Sequence, residues 1–216
     1  MTVESVDDLA GFFDISEFAR LAVYAPIAFA PPVDEISTTV PVIRSTKVGF
    51  DSPETTAFHV RVPDISQPQL GGKLTVEGRD WIILDRISKD GGLVWQLHAA
   101  PLDRYDGLVL FECPEAVDDG YTSDGPPIWR LHCWTWAVVS FGKGDERREA
   151  AREGAVLPAT FKIPRNMETV GVTASFRLRY PVNPLDPDNA PEWDIVSVAP
   201  YGLNEAMEIT ARRRDE

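Results

Sequence analysis

Cysteine and histidine are nearly absent from this chain. In 216 residues there are two cysteines, Cys113 and Cys133, and three histidines, His59, His98 and His132. So few cysteines exclude a disulfide-stapled scaffold and are the usage expected of a protein folded in a reducing compartment. None of the histidines has a metal-ligand neighbour at helical or hairpin spacing, and His132-Cys133 are adjacent, so on a strand they point to opposite faces. Basic residues are also in deficit: 21 Lys and Arg face 34 Asp and Glu, a formal charge of −13. Such a balance argues against tight nucleic-acid binding, which needs clustered cations to neutralise phosphates. The one basic run, Arg212-Arg213-Arg214, is followed by Asp215-Glu216 and reads as a solvated tail. Long apolar runs are missing too, so no segment has membrane-spanning length. The start of the chain carries Glu4, Asp7 and Asp8 where a secretory leader would have a basic residue and an apolar run. The expectation is a soluble, cytoplasmically folded protein without a membrane partner.

Catalytic motifs are lacking as well. Gly142-Lys143-Gly144 has neither the second glycine nor the Lys-Ser/Thr of a phosphate-binding loop. No serine sits in a nucleophile elbow. Asp85 and Asp90 flank a hairpin and are read as turn supports. No residue is therefore assigned a catalytic, cofactor-binding or metal-ligating role, no cofactor is implied, and the protein is read as a non-enzyme.

What the chain does have is a sentence written twice. Gly78-Arg79-Asp80-Trp81-Ile82-Ile83-Leu84-Asp85, the turn Asp90-Gly91-Gly92 and Leu93-Val94-Trp95-Gln96-Leu97-His98 form one hairpin pattern. Glu192-Trp193-Asp194-Ile195-Val196-Ser197-Val198, the turn Pro200-Tyr201-Gly202 and Ala206-Met207-Glu208-Ile209-Thr210-Ala211 form the second. Around them, period-2 alternation predicts strands over 39–44, 57–62, 73–78, 129–140, 159–163 and 173–180. Phe58, Val60 and Val62 then face one side, with His59 and Arg61 on the other. Helices are predicted over 5–13, with Ser5 as N-cap and Val6, Leu9 and Phe13 on one face, and over 145–154. Because one helix precedes its strands and the other falls among them, the order of elements around the two hairpins is read as different. Trp129, Trp134 and Trp136 suit either a core or interface wall or a stacking platform, and the lack of neighbouring cations favours the wall.

The fold class expected is mainly β. Two small barrel or sandwich modules, 1–100 and 128–216, each with a short helix, are joined by an acidic, Pro-rich linker at 101–127. Charge is uneven, with sums of −6 over 1–100, −6 over 101–127 and −1 over 128–216. Within the linker, Leu108-Val109-Leu110-Phe111 is apolar enough for a docked strand. The Pro-rich loops 25–38 and 181–191 are expected to order on contact with neighbours.

At these residues the chain resembles two neck families of tailed phages placed in tandem. Residues 7–100 resemble the head–tail joining (attachment) family through Asp8-Leu9-Ala10-Gly11-Phe12-Phe13-Asp14, Val42-Ile43-Arg44-Ser45, Gly72 to Gly78 leading to Trp81, and Asp90 to Leu97. Residues 129–214 resemble the head–tail adaptor (head-closure) family through Trp136-Ala137-Val138, Asp145 to Ala151, Ala159-Thr160-Phe161-Lys162-Ile163 and Trp193 to Val198. The resemblance implies a structural stopper protein of a phage or gene-transfer-agent particle, assembled in the host bacterial cytoplasm and residing in the virion neck. It implies a homo-oligomeric ring, a hexamer by family analogy. One face would meet the portal-side adaptor ring and the other the tail terminator or tail tube. Packaged double-stranded DNA would pass the lumen without sequence-specific contact. The alternatives are a tail-terminator or adaptor ring of the same neck, and, from another class, a cytoplasmic two-module β-barrel binding protein or small enzyme.

Overall fold

A computed structural model describes residues 6–27, 37–45, 55–115, 127–142, 158–202 and 205–214. The chain divides into two units, Met1–Arg104 and Tyr105–Glu216. Each is a closed barrel of six antiparallel strands. The expected mainly-β, two-module fold is what the chain adopts.

In the first unit, β1 (Arg20–Ala25), β2 (Thr38–Ser45), β3 (Thr56–Arg61), β4 (Lys73–Val76), β5 (Arg79–Lys89) and β6 (Val94–Pro101) close in the order β1-β2-β3-β6-β5-β4. Pairing of β1 with both β2 and β4 makes the ring. Alternation sends Ala22, Val40, Phe58, Val60, Leu74, Trp81, Ile83 and Leu97 inward, and Ile65 and Leu70 from the β3–β4 loop join that core. As expected, His59 and Arg61 point away from it. The β4–β5 connection is a two-residue turn in which Glu77 and Gly78 both take positive φ (51° and 78°). That geometry matches the twist of paired strands and favours glycine at the second position. Helix α1 (Val6–Phe12) lies against the barrel's outer wall, where Leu9 and Phe13 pack with Val94, Ile43 and Leu93. Ser5, the expected N-cap, lies outside the described residues, as does the predicted helix at 145–154.

In the second unit the strands are β7 (Gly107–Glu115), β8 (Ile128–Phe141), β9 (Pro158–Pro164), β10 (Arg177–Arg179), β11 (Glu192–Tyr201) and β12 (Ala206–Arg213). Their cyclic order is β7-β8-β9-β12-β11-β10, which is the order of the first barrel repeated strand for strand. The expectation of different element orders is therefore corrected for the strands, whose order is the same in both barrels. The agreement extends to register. Leu74 pairs with Trp81 as Leu178 pairs with Trp193. Phe58 pairs with Leu97 as Phe161 pairs with Ile209. Ile83 pairs with Ala99 as Ile195 pairs with Ala211, and a β-bulge follows each isoleucine. Both cores hold the same aromatic pair, edge to face: Phe58 on Trp81 at 5.3 Å and Phe161 on Trp193 at 5.5 Å between centroids.

Several boundaries move. Gly107–Glu115, placed by sequence in the linker, is the first strand of the second barrel. Val109 and Phe111 are needed in its core, which overrides the local proline and acid content. The strand predicted over 173–180 is only Arg177–Arg179. Thr173 to Phe176 form a turn closed by Phe176 N–H donating to the Thr173 carbonyl. Loop 181–191 is already docked on its own barrel. Val182 and Ala190 are buried, Val182 N–H donates to the Leu108 carbonyl, and Trp193 Nε1 donates to Tyr180 O at 3.0 Å.

The shared aromatic pair sets an expectation. Phe58→Ala and Phe161→Ala each remove a ring from a barrel centre and lower that barrel's stability by about 3–5 kcal/mol. Leu21→Ser on the outer wall changes it by less than about 0.5 kcal/mol. Urea titration followed by tryptophan fluorescence measures all three. Equal effects of the core and outer substitutions contradict the assignment of inside and outside.

Candidate functional site

The β10 alternation places Leu178 inward and Arg177 and Arg179 outward, side by side on the second barrel's wall. Glu112 Oε2 accepts from Arg177 Nε at 2.6 Å and from Arg179 Nε at 3.0 Å. Glu192 accepts from Arg177 Nη1 at 2.8 Å and Arg179 Nη2 at 2.9 Å. Arg179 Nη1 also donates to the Asp188 carbonyl at 2.6 Å, pinning the Pro187–Asn189 turn, and Arg177 lies 4.5 Å from the Trp129 ring centre. Arg214 extends the chain of charges from Glu192 to Asp194. The side chains of Arg177, Arg179 and Glu112 are only 11–13% exposed, so this is a desolvated network rather than a surface decoration.

The first barrel has a weaker counterpart at the same register. Lys73 reaches Asp80 at 3.4 Å and Thr75 Oγ1 donates to Asp80 at 2.6 Å. In both barrels an acid immediately before the core tryptophan ties down the outward residues of the closing strand. The repeated acid–Trp dipeptide was the visible signal for this. Its role was missed because the partners lie on strands distant in sequence.

The histidines stand where strands put them. His59 is half-buried on β3 opposite Gln96, and Gln96 Nε2 is 3.1 Å from His98 Nε2. His132 belongs to the other unit, 3.0 Å from the Glu168 carbonyl and edge-on to Phe176. Among the described residues no three His, Cys, Asp or Glu side chains converge on a common point fit for a metal ion. Asp85 accepts from the Arg86 amide beside the bulge, and the Asp90 carbonyl accepts Leu93 N–H in the turn. Cys133 lies in the core and Cys113 donates to the Arg130 carbonyl, both free. Burial, with Glu168 adding to it, pushes the Cys133 thiol up to about 12. Trp134 and Trp136 share one face, as alternation predicts. It is the outer face, opposite Leu110 and Leu108, with Trp134 buried.

The first barrel also has an open depression of about 430 Å³ beside its β3–β4 loop, lined by Tyr24, Asp64, Gln67, Gln69 and Arg86 among others. Its polar groups are largely occupied. Tyr24 Oη accepts Gln69 N–H at 2.8 Å, Arg61 grips Asp64 with two bonds, and Arg86 donates to the Pro68 carbonyl.

The outer side of β1 departs from that of β7. Leu21 and Val23 are 54% and 40% exposed, and Phe12, Ile15 and Phe18 lead into them at 42%, 53% and 63%. The equivalent residues of β7, Leu108 and Leu110, are buried. Register explains the contrast in part. Leu108 and Leu110 are flanked by Trp136 and Trp134, whereas Leu21 and Val23 are flanked by Pro41 and Thr39. No protein-family model matches the chain, and no curated protein matches its sequence.

Two outcomes are expected. Glu112→Ala removes one of the two carboxylates that hold Arg177 and Arg179, leaves Glu192 in place, and costs the second barrel about 1–3 kcal/mol. Arg20→Ala, which opens the exposed Arg20–Glu77 pair, costs at most about 1 kcal/mol by the same urea titration. The other outcome concerns pH. Burial holds the His59 imidazole below its ordinary value; Lys89 and His98 act in the same direction and Asp90 opposes. The unfolded chain thus binds this proton first, so the contribution of neutral His59 is intact above roughly pH 6.5 and declines as pH falls toward the folded-state value. Thermal unfolding across that range should show the decline in the parent and a smaller one in His59→Gln. Identical slopes would remove His59 from the account.

Proposed function

We propose that this protein is a structural ring component of the neck of a tailed phage or phage-like particle, acting as the head-closure stopper between portal and tail. The observation that carries the reading is the bare apolar stretch Phe12–Val23, whose β1 residues Leu21 and Val23 are exposed where the equivalent Leu108 and Leu110 of the other barrel are buried. An exposed apolar stretch of this kind suits an assembly surface. The resemblance of the two halves to joining and adaptor families points to the same class of part.

The rest of the chain is compatible with that role. Arg177 and Arg179, which point outward on the second barrel, are held by carboxylates, so this pair does not form an adhesive patch for phosphate. An acidic chain lets a polyanion pass a channel without sticking. Closed barrels offer stiff walls, because every strand within the ring has two partners. Six copies, the number taken from the family analogy, would present twelve barrels around a channel.

Averaged cryo-images of particle necks provide the test. The expected outcome is a ring of paired small barrels between portal and tail, lost when the gene is deleted, with heads that fill but leak their DNA. Normal tailed particles from the deletion strain would sink the reading.

A further inference from the structure

Two of the features that set one barrel apart from the other bear on assembly. The first barrel keeps the strip of Phe12, Ile15, Phe18, Leu21 and Val23. The second keeps a two-stranded ribbon, in which Glu112–Glu115 and Ile128–Leu131 continue β7 and β8 past the bulge that follows Phe111. Among the described residues the matching strands β1 and β2 show no such extension, being 6 and 8 residues long against 9 and 14. Along Cys113–Glu115 and Ile128–Leu131 the ribbon's two outer edges pair with no other strand among the described residues. Ile128 and Leu131 are each 54% exposed on it.

We infer that strip and ribbon are the two halves of one interface, the ribbon of each copy docking on the first-barrel strip of the next copy. Area is the first argument. Taking roughly 150–200 Å² for a side chain of this size, the five exposures of the strip amount to about 450 Å². That is about half of what each partner buries in a standard interface. Charge is the second. Asp14 and Glu17 are exposed within the strip, and the Ser16 hydroxyl and amide, by hydrogen-bonding to the Asp14 carboxylate, favour its charged form. Strip against strip would oppose acid to acid. The ribbon instead carries Arg130, its side chain 67% exposed beside Glu115, so the Arg130–Glu115 and Arg20–Glu77 pairs can exchange partners across the contact. The third is stoichiometry. Every copy has one strip and one ribbon on different units, and an interface joining unlike patches propagates head to tail, the kind of contact from which a closed ring is built. The turn behind the strip is set before docking, since the Asp14 carbonyl accepts from Glu17, Phe18 and Ala19.

The inference rests on the ring reading but is tested apart from it, by sedimentation velocity of the full chain over a range of concentrations. Two double variants are needed, Phe18→Glu with Leu21→Glu (strip) and Ile128→Glu with Leu131→Glu (ribbon), each checked for fold by circular dichroism. Should either lose its fold, Leu21→Ser and Leu131→Ser replace them. The parent is expected to self-associate as concentration rises and each variant alone to stay monomeric. A one-to-one mixture should form dimers and nothing larger, since it retains a single working strip–ribbon pair. A monomeric parent, a variant that associates like the parent, or a mixture that stays monomeric overturns the inference. Necks that contain the chain while the variants still associate sink the interface and leave the function. Association that follows the strip–ribbon logic while necks lack the chain does the reverse.

Discussion

Everything in this protein depends on a short antiparallel pairing that closes each barrel, β1 with β4 and β7 with β10. The closing strands are only four and three residues long. Each is centred on a leucine between an aromatic residue of the first strand and a tryptophan: Leu74 between Tyr24 and Trp81, Leu178 between Phe111 and Trp193. Without that seam each unit is an open six-stranded sheet with two bare edges and a solvent-filled interior. With it, the edges vanish and the inward side chains meet across the axis. The Phe–Trp pair at the centre is worth its full burial only when the seam holds.

So short a strand needs support from outside, and both barrels supply it at the same positions. Asp80 binds Lys73 and Thr75; Glu192 binds Arg177 and Arg179. The second barrel carries the device further, with Glu112 from the neighbouring strand, the Asp188 carbonyl and the Trp129 ring enclosing the arginines. This difference matches the length of the closing strands. Three residues give fewer ladder bonds than four, and the shorter seam has the more elaborate charged clamp. Buried ion pairs of this kind stabilise little compared with apolar residues of the same size, yet they penalise any register that leaves one partner alone.

Away from these clamps the two barrels differ on their outsides. The outer positions of the first strand show the divergence: covered next to Trp134 and Trp136 in one unit, bare next to Thr39 and Pro41 in the other. A chain that repeats its core and varies its walls keeps the property that makes each unit fold and changes the one that determines what touches it. The proposed role in a ring belongs to that second layer.

The amino-acid sequence by itself determined the fold class, both tryptophan hairpins and the inward residues Phe58 and Val60 on β3, because alternation and turn chemistry act over a few residues. Phe58 and Val60 against His59 and Arg61 could be sorted without a structure. Only the tertiary structure decided that β7 belongs to the second barrel, that the two strand orders are identical, and that the arginines of β10 serve a clamp. Those facts depend on pairings such as Leu178 with Phe111 and Arg177 with Glu112, between residues more than sixty positions apart. The proline and acid content of 101–127 read as a linker since composition reports local preference, whereas membership of a closed barrel is settled by which strand completes the ring. The bare strip was equally hidden: Leu21 and Leu108 are alike as letters, and their neighbours across the ladder make one a surface and the other a buried side chain.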